Sequence, residues 1–84
     1  MSLDKQEIFN VIKANTIKIL PDVRPEDVNI EGSLTDLGAN SIDRVEIVMY
    51  SLQELGLKIP TPELHGLKNL RGLVDLFHRY ATAA

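Results

Sequence analysis

The chain has 84 residues, 44% of them hydrophobic, which is enough apolar material for one small globular domain over residues 1–84 and too much for a disordered chain. It contains no cysteine, so a disulfide framework, a cysteine zinc site and a thiol nucleophile of its own are excluded. The net charge of −3 is unevenly spread: residues 22–54 hold eight acidic and two basic side chains, a net −6, which disfavours nucleic acid as a partner and favours enzymes with basic docking patches.

The N-terminal segment is polar and lacks the apolar core of a signal peptide, and no apolar run approaches membrane-spanning length. We therefore expect a cytoplasmic protein with no membrane partner. Apolar residues at helical spacing predict a first helix from Ser2 or Leu3 to Leu20, with Ser2 as its cap. Pro21 ends this helix because proline cannot donate to the helical hydrogen-bond ladder.

A long connection follows over residues 21–40, where two prolines and a glycine disfavour a continuous helix. Apolar residues recur within it, so we predict a loop laid against the core rather than a free linker. Ser33 followed by Leu34-Thr35-Asp36-Leu37-Gly38 is typical of a capped single turn.

The second helix is predicted over about Ser41 to Leu55, with Asn40 as its N-cap, Asp43 completing a capping box and Gly56 at its end. Its helically spaced apolar residues are Ile42, Val45, Val48, Met49, Leu52 and Leu55. Its exposed side is predicted to carry Asp43, Arg44, Glu46, Ile47 and Tyr50.

After an extended connection, a short third helix or turn is predicted over Pro62 to Leu67, and a fourth helix begins near its cap, Asn69. The fourth helix should turn five residues inward: Leu70, Leu73, Val74, Phe77 and Tyr80. Residues 81–84 are expected to fray. Because no strand pattern competes, the fold class is all-α: a small bundle of three main helices plus one short helix, with a long loop between the first and second helices.

Ser41 lies in the first turn of the second helix, where backbone N–H groups lack partners and the helix dipole is positive. A phosphate ester on its hydroxyl would be favourably placed there. No base neighbours it in sequence, so it is interpreted as an attachment point rather than a nucleophile. Serine is also common at helix starts, so a purely structural role stays open on local features alone.

The two histidines, His65 and His78, are far apart in sequence and have no ligand-like neighbours. A metal site is therefore not expected. A small hydrolase would need one of these histidines to be brought to Ser41 by the fold, which makes it the remotest alternative.

The segment Asp36-Leu37-Gly38-Ala39-Asn40-Ser41-Ile42-Asp43 resembles the modification motif of acyl carrier proteins, whose usual form is Asp-x-Gly-x-Asp-Ser-Leu. The likeness continues through Val45-Glu46-Ile47-Val48-Met49 and Lys58-Ile59-Pro60, and it covers roughly the whole chain. It implies a bundle fold and a carrier rather than an enzyme. It also implies a covalent phosphopantetheine arm on Ser41, derived from coenzyme A, that holds an acyl group as a thioester.

In the resembling family, the helix after the serine meets partner enzymes. Carried over to this sequence, the partner-recognition residues are Asp36, Asn40, Ile42, Asp43, Arg44, Glu46 and Met49. Of these, Ile42 and Met49 could instead belong to the core. The acidity around Ser41 could likewise be an ordinary solvated surface.

Asn40 and Ile42 depart from the usual aspartate and leucine, and Arg44 adds a base where many carriers are neutral or acidic. These departures look like one subgroup, the stand-alone donor carriers of polyketide β-branching cassettes, which deliver acetyl to an HMG-synthase-like enzyme. The implied partners are a phosphopantetheinyl transferase, an acyltransferase, a decarboxylating ketosynthase-like enzyme and the HMG-synthase-like enzyme. We expect a monomer. The alternatives are a fatty-acid or D-alanyl carrier and, from another class, a small helical interaction module in which Ser41 is only a cap.

Overall fold

A computed structural model describes residues 3–64, 67 and 69–82 of the chain. In this part of the chain there are three α-helices and no strand. The helices are α1 (Lys5–Ile19), α2 (Ser41–Leu55) and α3 (Leu70–Thr82). The predicted all-α fold with three main helices is therefore confirmed. None of the described helices has the length and apolar content that crossing a membrane requires.

The predicted short third helix is a 3-10 turn over Thr61–Leu64, and a second 3-10 turn covers Pro25–Asp27 in the long loop. Leu67, the predicted end of the short third helix or turn, is not helical, and His65 and Gly66 lie outside the described residues.

The start of α1 differs from the prediction. Asp4 is the N-cap: its side chain accepts a hydrogen bond from the Glu7 N–H at 2.8 Å, and Glu7 accepts one from the Asp4 N–H at 3.3 Å. This reciprocal pair satisfies two free N–H groups and fixes the first helical residue at Lys5. The start predicted at Leu3 is therefore wrong, and the Ser2 cap lies outside the described residues.

α1 packs against both α2 and α3, so it is the central helix of the bundle. The core draws apolar side chains from all three helices and from the loops between them. Its buried members are Ile8, Ile12, Val28, Leu34, Ala39, Ile47, Leu52, Ile59, Leu70, Leu73, Val74, Leu76 and Phe77. Burial of side chains of this kind stabilises by roughly 1.5–3 kcal/mol each, which makes this core the main support of the fold.

The long loop lies against the core, as predicted, because Val28, Leu34 and Ala39 are buried. It is also hydrogen-bonded to the start of α3. The Leu70 N–H donates to the Gly32 carbonyl and the Arg71 N–H donates to the Ile30 carbonyl, each at 2.8 Å. Two N–H groups that a helix start leaves without partners are thereby satisfied by the loop.

Asn69 caps α3, as predicted, by accepting a hydrogen bond from the Gly72 N–H at 2.9 Å. The four predicted aliphatic and aromatic core residues of this helix are buried, together with Leu76, and Tyr80 is half-buried with its hydroxyl donating to Glu63. Residues 81 and 82 form the end of α3, and residues 83 and 84 lie outside the described part of the chain, so the fraying of residues 81–84 stays a prediction.

The face of α2 that packs inward also differs from the prediction. Ile47 is fully buried, not exposed, and Ser51 beside it is buried too. The Ser51 hydroxyl donates to the Ile47 carbonyl at 2.7 Å and accepts from the Asn15 side-chain amide of α1 at 3.1 Å. Because these bonds satisfy the serine, a polar residue can occupy the α1–α2 interface at little cost.

Candidate functional site

The site is built around the start of α2, where Ser41 is the first helical residue. Asn40 is the N-cap: its side-chain oxygen accepts from the Asp43 N–H at 2.8 Å, and the Asp43 carboxylate accepts from the Asn40 N–H at 3.2 Å. The predicted capping box is therefore confirmed. Because Asn40 and Asp43 supply the cap, the hydroxyl of Ser41 is not needed for it.

The preceding turn delivers the chain to this point. The Ser33 hydroxyl accepts from the Asp36 N–H at 3.1 Å, and the Ala39 N–H returns to the Leu34 carbonyl at 3.1 Å. Gly38 has φ 94°, a left-handed conformation that residues with a Cβ rarely adopt, and so it closes the turn. Together, Leu34 and Ala39 bury their side chains and hold Ser41 at the surface.

Ser41 is exposed, and one cation reaches it. Arg44, one turn further along α2, directs its guanidinium back over the turn. Its Nη2 lies 3.4 Å from Ser41 Oγ, and its Nη1 lies 3.1 Å from Thr35 Oγ1 and 3.4 Å from the Ala39 carbonyl oxygen. Thr35 was not among the predicted site residues, and no sequence signal marks it for a contact with Arg44.

Arg44 was predicted on the exposed side of α2, but it is half-buried. It shares a side of the helix with Val48, Ser51 and Leu55, which follow at spacings of four, seven and eleven residues. All three are buried or half-buried, so this side of α2 faces the protein. Arg44 lies on the same side at the start of the helix and therefore faces the loop. This position could have been inferred from sequence only if the inward side of α2 had been known.

An apolar strip lies on the opposite, outer side of α2. We use "apolar strip" for Ile42, Val45 and Met49, whose side chains are 69%, 60% and 57% exposed. The interpretation of Ile42 and Met49 as core residues is therefore wrong, and Val45 is a member that the sequence analysis missed. Asp43 and Glu46 lie beside the strip, both partly exposed, and Asp36 is exposed in the turn before it.

A cleft of about 480 Å³ opens on the inner side of Arg44. Polar groups of the loop and of the α3 cap form its rim, and apolar side chains of α2, the 3-10 turn and α3 form its walls. Its lining residues are Ser33, Leu34, Thr35, Arg44, Val48, Leu64, Leu67, Asn69, Leu70 and Leu73. The guanidinium of Arg44 therefore lies between the exposed hydroxyl of Ser41 and a partly apolar recess.

No acid–base machinery accompanies Ser41 in the described residues. Its hydroxyl has one side-chain polar contact there, the approach of Arg44 Nη2 to 3.4 Å. No three His, Cys, Asp or Glu side chains among residues 3–64, 67 and 69–82 are placed to hold a metal ion. His78 is half-buried in α3, and His65 lies outside the described residues.

Glu31 and Tyr80, whose pKa values are shifted, make contacts that join parts of the fold. Hydrogen bonding to Arg71 lowers the pKa of Glu31, and hydrogen bonding to Glu63 raises the pKa of Tyr80. The first contact joins the long loop to α3, and the second joins the 3-10 turn to α3. Neither contact involves Ser41.

A phosphate ester fits the groups present around Ser41. The oxygen is exposed, it lies at the positive end of the α2 dipole, and a guanidinium lies within reach. These are hydrogen-bond donors and a positive charge, which is what a phosphate requires.

Comparison with known proteins gives one family match and several close relatives. Residues 14–77 match the family model described as a phosphopantetheine attachment site. The chain is 41% identical over 76 residues to the polyketide biosynthesis acyl-carrier-protein AcpK of Bacillus subtilis (strain 168), covering 90% of this chain and 93% of that protein. It is 34% identical over 82 residues to an acyl carrier protein of Thermosynechococcus vestitus, covering 96% of this chain and 100% of the other.

Among solved structures, the chain matches one in the crystal structure of the curacin biosynthetic pathway HMG synthase in complex with acetyl donor-ACP. The TM-score is 0.84 and the identity 36%, over 92% of this chain and 99% of that chain. The similarity thus covers nearly the full length of both molecules.

Proposed function

Because the chain belongs to the phosphopantetheine-attachment family of acyl carrier proteins, we propose that Ser41 is the residue that bears the arm. The predicted family, its phosphopantetheine group and its status as a carrier rather than an enzyme are confirmed by the same relatives. Ser41 is supported by its position: an exposed hydroxyl on the first residue of α2, next to a cap that does not use it.

The phosphopantetheine arm supplies a thiol, which this cysteine-free chain lacks, and the thiol holds an acyl group as a thioester. Ser41 provides the anchoring oxygen, Asn40 and Asp43 hold the helix start rigid, and Gly38 shapes the turn that presents it. Tethering then raises the effective concentration of the acyl group at each enzyme that the carrier meets.

The protein acts in polyketide biosynthesis, and we infer that its cargo is an acetyl unit donated to an HMG-synthase-like β-branching enzyme. The likeness to a chain from an HMG synthase complex with acetyl donor-ACP supports this role. The likeness to AcpK supports the place in polyketide biosynthesis. A fatty-acid or D-alanyl carrier is a weaker explanation of the same relatives. A phosphopantetheinyl transferase, an acyltransferase and a decarboxylating ketosynthase-like enzyme complete the proposed set of partners.

The proposed docking surface is the apolar strip with its acidic neighbours. Three exposed apolar side chains on one helix side, Ile42, Val45 and Met49, are available for burial by a partner. Asp43 and Glu46 supply negative charge for steering by a basic patch. Asp36 and Asn40, both exposed, lie at the edge of this surface.

The modification is tested by intact mass. The protein is incubated with coenzyme A and a broad-specificity phosphopantetheinyl transferase, and we expect one phosphopantetheinyl addition. Ser41→Ala should receive none, whereas Thr61→Ala, which removes an exposed hydroxyl in the 3-10 turn before α3, should be modified like the wild type. An unmodified wild-type protein would refute the assignment of Ser41.

The donor role is tested by acetyl transfer. Acetyl-loaded protein should transfer acetyl to an HMG-synthase-like enzyme faster than an ordinary polyketide extension carrier does. Equal rates would refute the donor role and leave the protein as an acyl carrier of polyketide biosynthesis. Glu46→Lys should slow transfer roughly two- to fivefold at low salt. Glu26→Lys makes the same charge change in the long loop and should have little effect. Equal slowing by both variants would mean that net charge, not this surface, governs the encounter.

A further inference from the structure

We propose that Arg44 binds the phosphodiester of the arm and ties it to the long loop, so that the first segment of the arm has a fixed direction. The proposal rests on the proposed attachment at Ser41. It starts from the geometry of one side chain, whose two terminal nitrogens face different groups: Nη1 faces Thr35 and Ala39, and Nη2 faces Ser41.

The contact of Arg44 with Ser41 is long. Nη2 lies 3.4 Å from Oγ, beyond the usual range for an N–H···O hydrogen bond, while Nη1 lies 3.1 Å from Thr35. An ester at Oγ places charged, non-bridging oxygens two bonds beyond this atom. These oxygens are stronger acceptors than a neutral hydroxyl, and Nη2 can approach one of them without giving up the Thr35 contact.

The charge of Arg44 is also unpaired within the described part of the chain. The ion pairs there involve Lys5, Arg24 and Arg71, and none involves Arg44. Arg44 is nevertheless the sole base between Arg24 and Lys58 in sequence, in the most acidic part of the protein. A guanidinium with a free charge beside the attachment oxygen matches a phosphodiester better than it matches a hydroxyl.

The guanidinium has two terminal nitrogens, so it can bind the loop and the phosphate at the same time. Arginine can donate in parallel to two acceptors, here the loop and the phosphate, whereas a lysine ammonium is a point charge at the end of a flexible stem. Arg44 also lines the cleft, so a phosphate bound to it lies at the edge of that recess. The arm would leave Ser41 on the inner side of α2, away from the apolar strip.

The test measures the coupling between the modification and Arg44, without any partner enzyme. Apo and phosphopantetheinylated forms of the wild type, Arg44→Gln and Arg44→Lys are first verified by intact mass. We expect modification to raise the Tm of the wild type by roughly 2–5 °C more than that of Arg44→Gln. Arg44→Lys should recover part of the difference, and the difference should shrink at 1 M salt.

A second readout is the ³¹P resonance of the arm, which should shift in Arg44→Gln relative to wild type. Arg24→Gln, at an exposed arginine of the long loop, is the matched control and should not shift it. A merely structural Arg44 would lower the Tm of both forms equally and leave the resonance in place, and that result would overturn the proposal. Failure of the wild type to accept the arm would instead refute the assignment of Ser41.

Discussion

The two isoleucines of α2 give a matched test of how this helix is oriented. Ile47 is fully buried, whereas Ile42 is 69% exposed. The substitutions Ile47→Ala and Ile42→Ala therefore remove the same atoms from opposite environments on one helix. Any effect of the alanine on helix propensity is of similar size at both positions and favours the variant slightly.

The expected loss at Ile47 follows from its burial. Three carbon groups are removed at about 0.8 kcal/mol each, and the cavity left between the helices adds to this, so Ile47→Ala should destabilise by about 3 kcal/mol. Ile42→Ala should change the free energy of unfolding by less than about 0.5 kcal/mol. For a domain of this size, 3 kcal/mol corresponds to a fall in Tm of roughly 12–24 °C.

The assay is urea unfolding followed by circular dichroism. Since Ile47→Ala could leave too little folded protein to measure, Ile47→Val provides a milder step with an expected loss of about 1 kcal/mol. Equal losses at Ile42 and Ile47, or a larger loss at Ile42, would refute the orientation of α2 and with it the exposure of the apolar strip.

Three further outcomes follow from other contacts. Ser41→Ala should lose modification and less than about 1 kcal/mol of stability, whereas Asn40→Ala should lose about 1 kcal/mol because it removes the cap; urea unfolding measures both. Gly72→Ala should stabilise by about 0.5–1 kcal/mol, since a Cβ there meets only ordinary contacts at 3.5 Å; a loss would contradict this. Arg71 lowers the pKa of Glu31 below its ordinary 4.5, so the ion pair stabilises the fold above that pH and is lost as pH falls through the lowered value. Glu31→Gln should therefore flatten the acid limb of a Tm–pH curve, and an unchanged limb would show that the pair contributes nothing.

Helix positions and caps could be predicted from the sequence because they depend on neighbouring residues. Asn40 with Asp43, Gly56 after α2 and Asn69 before α3 all act within a few residues of their own position. The cap at Asp4 carries the same type of signal, and Glu7 three residues later would have located it.

The inward side of α2 could not be predicted in this way. Its apolar residues cover more than one side of the helix, so periodicity permits two orientations, and the choice depends on packing against α1. Ile47 and Ser51 are buried in that interface, where the Ser51 hydroxyl accepts a hydrogen bond from Asn15, 36 residues earlier in the chain. The orientation that buries these residues also turns Val45 outward and Arg44 toward the loop, and no local pattern encodes these long-range contacts.

The hydrogen bonds from the long loop to α3 make two distant segments of the chain one cooperative unit. The amide protons of Leu70 and Arg71 have no acceptor within their own helix and depend on carbonyls of Gly32 and Ile30. If α3 moves away from the loop, both protons meet water at once, so their rates of exchange with deuterium would report how often this wall of the cleft opens. A cargo that required such opening would raise these rates, while an acetyl group, small enough to stay outside, would leave them unchanged.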